Sequence, residues 1–282
     1  MKALKRIQSG LALVALFLVI ASSSCNNPAT QDKQANAAAD TIKKEVALSP
    51  ESQSLLKSFP TPFEVTTMLE KAKAGFIFDI TNPPASVGKY TTEISKSINL
   101  GVYSADLSYS ATYNCTDETN KFLTCTNKLA DELGIAGVYD QTLLDKVKKF
   151  NNNKDSLTAL INKIFSQTNN FLATNNRTKV AVLIAAGGFA EGVYLAASLG
   201  EVAKDNIKIM AVIAAQKDNQ TKLLTILQAY AADENMKPVT DGIAKLTPIW
   251  TNYGIESGKK IPQQKAAEIS DLTESVRLAF IK

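Results

Sequence analysis

From residue 49 onward, apolar positions recur at intervals of three and four, the period of helices that bury one face. The longest such stripe runs through Val87, Tyr90, Ile94, Ile98, Val102, Ala105, Tyr109 and Thr112, with Gly101 placed to divide it into two helices. A second stripe joins Leu157, Leu160, Ile161, Ile164, Phe165, Phe171 and Leu172. Between Arg177 and Val202 the polar face disappears, and small residues sit between the large apolar ones. A helix that is apolar all round belongs in the centre of a fold. One run, Phe76-Ile77-Phe78-Asp79-Ile80, has strand composition but no partner, so it is assigned to extended chain that fills the core.

Start and stop signals divide this pattern into elements. Ser49-Pro50-Glu51 offers an N-cap followed by proline at the first helical position. Thr61-Pro62-Phe63-Glu64 adds a capping box and predicts a helix to about Lys73. Thr81-Asn82-Pro83-Pro84 is a break. The helix from about Asp117 to Leu133 ends with Gly134 in the C′ position. Asp140 caps a helix to about Phe150, which Asn151-Asn152-Asn153 ends. Further helices are expected over about 206–216, 219–233, 238–252 and 262–280. The reading is a single all-α domain over residues 49–282, an antiparallel multi-helix bundle or array of about nine or ten helices.

The first 48 residues follow different rules. Lys2, Lys5 and Arg6 precede the unbroken apolar run Leu11 to Ile20, and Ala21-Ser22-Ser23-Ser24 leads into Cys25. The apolar run is too short to span a bilayer, so residues 1–24 read as a cleaved signal peptide. The pattern resembles a bacterial lipoprotein signal, although Ser22 stands where a leucine-like residue is commonest. That resemblance implies lipidation of the Cys25 thiol and membrane anchoring in the cell envelope. Asn26, rather than Asp, after the cysteine implies the outer membrane by the sorting rule of enteric bacteria. Residues 25–48, rich in Asn, Ala, Gln and Lys, read as a flexible tether.

Taken with the Lys- and Asn-rich, Arg-poor composition, the Ser-rich run into Cys25-Asn26-Asn27 resembles a Bacteroidota lipoprotein. The stretches Leu100-Gly-Val-Tyr-Ser-Ala-Asp-Leu-Ser-Tyr, Leu129-Ala-Asp-Glu-Leu-Gly-Ile and Gly187-Gly-Phe-Ala-Glu-Gly resemble an uncharacterised family of helical lipoproteins from that phylum. The resemblance implies an envelope location and a helical fold. It implies no activity.

Charge and composition narrow the chemistry. Removing the signal takes 31 cations to 28, against 27 anions, so the remainder is almost neutral. No nucleic-acid partner is expected, because such a partner needs a concentrated basic face. Only Arg177 and Arg277 remain beyond the signal, which leaves little capacity for bidentate phosphate clamps. The chain has no histidine, so Ser-His-Asp and Cys-His catalysis and His-based metal sites are excluded. No metal and no cofactor is expected.

Two segments carry the remaining candidates. Asp106 sits one helical turn from both Tyr103 and Tyr109. Glu191 interrupts the apolar central helix among Gly187, Gly188 and Gly192, with Tyr194 a turn beyond. Tyr103, Asp106, Tyr109, Glu191 and Tyr194 are therefore the candidate ligand-binding residues. The competing account makes each carboxyl a structural group satisfied by Tyr, Ser, Lys or Arg177. If the two helices pack together, the carboxyls converge, and a cell-envelope glycan hydrolase becomes the alternative function. The thiols of Cys115 and Cys125 are ten residues apart, about 15 Å along continuous helix. They are expected to be free, a disulfide forming only if Cys115 folds back. The expected function is non-enzymatic: an anchored helical domain binding an envelope partner protein or a small ligand.

Overall fold

A computed structural model describes residues 46–138, 145, 146, 149, 153–256 and 258–282. The expected signal peptide, Cys25, most of the expected tether and nearly all of the helix expected from Asp140 lie outside the described residues. The described chain is all-helical, with ten α-helices of eight residues or more among the described residues. Leu48, last residue of the expected tether, is already buried, and its carbonyl accepts from Gln53 Nε2 at 3.0 Å.

The first helices begin where the caps place them. Ser49 Oγ accepts from the Ser52 amide at 3.1 Å to open α1 (Pro50–Lys57). Glu64 reaches back to the Thr61 amide at 3.2 Å to open α2 (Pro62–Lys71). Residues 74–80 then run without helix or strand. Phe76 stacks on Tyr109 with centroids 4.5 Å apart, whereas Phe78 is 62% exposed. The Pro83-Pro84 break passes into a short 3-10 turn, Pro84–Lys89. Thr92 and Ser95 then cap α3 (Glu93–Thr112) reciprocally.

Helix α3 corrects one expectation: it runs unbroken through Gly101. The glycine serves packing instead. A Cβ there would lie 2.0 Å from the Ile184 carbonyl oxygen of α6 (Thr178–Val202), and one at Gly187 would lie 1.9 Å from Ile98 O. The two backbones are in contact, and only glycine permits that approach. Every residue of α3 from Ser97 to Thr112 is buried. Its hydroxyls are satisfied locally, Ser108 bonding to Ser104 O at 2.8 Å and Thr112 to Ser108 O at 2.7 Å.

Helix α6 is long and apolar enough to cross a membrane, yet 94% of its apolar window is buried inside the fold. It is the central helix. α4 (Thr116–Glu132) returns antiparallel along α3, with Ser110 beside Thr119 and Lys96 paired to Glu132 at 3.0 Å. Gly134, at φ 69°, takes the left-handed C′ position that ends it. Asn153 caps α5 (Lys154–Thr174), which leads by a short link into α6.

Beyond α6 come α7 (Ile207–Ala214), α8 (Lys217–Leu227) and α9 (Lys237–Ala244). A single turn, Pro248–Thr251, places buried Trp250 so that its indole N–H donates to Ile213 O at 2.9 Å. The last helix, α10 (Gln263–Phe280), lies antiparallel against α6. Its buried stripe includes Ala266, Ile269, Ser270, Thr273, Val276, Arg277 and Phe280.

Candidate functional site

The junction of α3, α6 and α10 brings Asp106 and Glu191 together. Both side chains are completely buried, at 0% exposure, and they lie within hydrogen-bonding reach of each other. The Gly101 and Gly187 contact allows this, because it draws the two helices close. Arg277 arrives from α10, with Nε donating to Glu191 Oε1 at 2.9 Å and Oε2 at 2.7 Å. Its guanidinium carbon lies 4.4 Å from the centroid of the Tyr194 ring, a cation–π contact away from water.

Asp106 has a different set of partners. Its Oδ2 accepts from the Asn82 amide at 3.1 Å, and Oδ1 meets no donor. The Asn82 side chain donates to Tyr90 Oη at 3.0 Å, and Tyr90 donates to Ile281 O at 3.4 Å. Asn99 donates to Phe280 O at 2.8 Å, so the end of α10 is held from two sides. Tyr103 donates to Pro83 O at 2.9 Å and rests edge-on to Tyr90.

The electrostatics follow from burial. Desolvation, reinforced by the charge of Glu191, pushes Asp106 well above the ordinary carboxylate range. Burial also raises Glu191, while Arg277 opposes that rise by charge and hydrogen bond. For Arg277, burial works against the charge, but Glu191 outweighs it and holds the guanidinium above its usual range. Glu191 and Arg277 form a buried ion pair, and Asp106 stands beside it without a cation of its own.

Four of the five candidate residues gather at this junction: Tyr103, Asp106, Glu191 and Tyr194. Tyr109 does not join them. Its hydroxyl accepts from the Ile77 amide at 2.9 Å, and its ring faces Phe76 and Tyr113. Positions three before and three after Asp106 fall on opposite sides of it around the helix, so only one tyrosine can face the junction. Arg177, considered as a partner for the carboxyls, instead donates to Leu133 O and pairs with Glu93 at 2.7 Å.

Sequence reasoning missed Arg277, Asn82 and Tyr90. The signal for Arg277 was present, because a cation on the apolar stripe of residues 266–280 must have a buried anion. Nothing comparable marked Asn82, which reaches Asp106 through its backbone amide. Cys115 and Cys125 are free thiols, so the possible disulfide between them is not formed. Cys115 caps α4 and Cys125 lies within it, which keeps them apart along one helix axis. Burial raises the Cys125 thiol to about 11. Among the described residues no cluster of Asp, Glu, Cys or His is arranged to hold a metal ion.

The surface opens elsewhere. An apolar recess of about 530 Å³, including its part open to solvent, lies where the α1–α2 connection meets α5 and α6. Leu56, Phe59, Pro62, Phe165, Ile184 and Phe189 form its walls, and Thr61, Asn169 and Gln216 supply polar groups at its margin. No charged side chain lines it. The chain matches no family model, no curated protein and no solved structure. Its function is therefore argued from these two places.

Proposed function

We propose that the protein is a lipid-anchored lipoprotein of the cell envelope whose helical domain binds a small apolar ligand in the recess beside α6, without catalysis. The location rests on the sequence of residues 1–25, the Bacteroidota lipoprotein resemblance and Asn26, which favours the outer membrane. The observation that carries the binding role is the recess itself. Its apolar, aromatic wall with a few polar groups is the usual chemistry of small-molecule sites.

The glycan-hydrolase alternative draws no support from the carboxylate geometry. Such a mechanism needs both carboxyls to face a sugar across an open cleft. Here both are sealed, and one is committed to Arg277.

Two measurements test the reading. Cys25→Ser should abolish labelling of the protein by a fatty-acid analogue in cells, and persistent labelling would refute anchoring at Cys25. An apolar fluorescent dye should bind the full chain with enhanced emission. Ala185→Trp, which fills the recess from α6, should weaken that binding about tenfold. Unchanged dye affinity in this variant would remove the recess as the site.

A further inference from the structure

The buried junction holds two carboxyls and one guanidinium. With all three ionised it would carry one uncompensated negative charge where water cannot reach, an arrangement that folds do not sustain cheaply. The hydrogen bonds show which acid resolves this. Glu191 meets Arg277 Nε through both oxygens, so it is the ionised member. Asp106 accepts one backbone amide at Oδ2 and has an idle Oδ1. Within its reach across the interface is Glu191, itself an acceptor, and two acceptors can bond only through a proton.

We propose that Asp106 carries that proton and donates it to Glu191, and that this neutral-acid bridge is a pH-sensitive latch fastening α10 onto α3 and α6. The other ionisable groups at the junction leave the assignment intact. Tyr103 and Tyr109 on α3, Tyr90 ahead of it and Tyr194 on α6 are all raised by burial and stay neutral phenols. Cys125 on α4 is likewise a neutral thiol. Glu274 on α10 acts on Tyr194, and Arg277 is the junction's counter-charge.

When Asp106 releases its proton to solvent, two carboxylates face one guanidinium. The movable partner is α10, held there by Arg277, by Asn99 on Phe280 O and by Tyr90 on Ile281 O. The sign is opposite to ordinary acid denaturation. In the unfolded chain Asp106 loses its proton near 3.8, whereas in the fold it keeps the proton well above that. Its contribution to stability is complete below the unfolded value and is lost as pH rises through the folded one.

The decisive experiment is infrared spectroscopy of the full chain in D2O at about pH 7, with and without carbon-13 aspartate. The wild type should show a neutral carboxylic acid band that shifts with the label. Asp106→Asn should lack the band while keeping the geometry, because its amide donates to Glu191 and its oxygen accepts from Asn82. No such band in the wild type overturns the proposal, and the labelled wild type decides even if the variant fails to fold. The latch is read by hydrogen exchange over residues 270–280 between about pH 6 and about pH 9, corrected for intrinsic exchange. Wild-type α10 should open about tenfold more at the upper end, and a folded Asp106→Asn should stay level. A level response in the wild type overturns the latch. So does an equal rise in both proteins.

Discussion

Two sides of α6 use burial in opposite ways. Toward α3 and α10 it presents Gly187 and Glu191 to a sealed, polar junction centred on the Glu191–Arg277 ion pair. Toward α1, α2 and α5 it presents Ile184, Ala185 and Phe189 to an uncharged recess that stays open. The chemistry that looks catalytic in the sequence is on the closed side, and the space that can admit a ligand is on the plain side. Charged residues on a core helix here mark how helices are fastened. The opening is built from residues that attract no notice in a sequence.

Removing the cation from the closed side should have the largest effect. Arg277→Met leaves Glu191 buried beside Asp106 without its partner, and loss of one member of a buried pair costs about 3–5 kcal/mol. Thermal unfolding followed by circular dichroism should show it. A loss below about 1 kcal/mol would mean that the junction admits water, and the contrast with the recess would weaken. Gly187→Ala comes next. Its added methyl would meet the Ile98 carbonyl, and overpacking of this kind costs about 1–3 kcal/mol as the helices separate. The shift should carry α3 and α6 apart without touching the recess wall formed by Phe59 and Phe165.

These residues also show how far the sequence could be read. Caps were legible because they are local: Ser49, Thr61 and Gly134 act within one turn of their own positions. The burial of α6 was legible because no charged residue but Glu191 interrupts it between Lys179 and Glu201. Gly101 misled because the missing side chain that lets a helix break also lets two backbones touch, and sequence does not distinguish the two uses. The convergence of Asp106 and Glu191 was open as a condition, since it depends on which helices pack. Their counter-ion was not found, because Arg277 lies 86 positions beyond Glu191 and pairs through tertiary packing. The recess had no sequence signature at all. It is a gap between elements, lined by residues each of which reads as ordinary core.

The smallest expected effect separates the two sides most directly. Ala185→Trp enlarges a side chain at the recess wall, where space is available. It should change stability by no more than about 1 kcal/mol while still weakening dye binding. Gly187→Ala, two positions along the same helix, should do the reverse, lowering stability more while leaving dye affinity near wild type. That crossed pattern depends on one side being packed and the other open. If Ala185→Trp destabilised the protein as much as Gly187→Ala, the recess would be part of the packed core, and α6 would have no open side from which to bind anything.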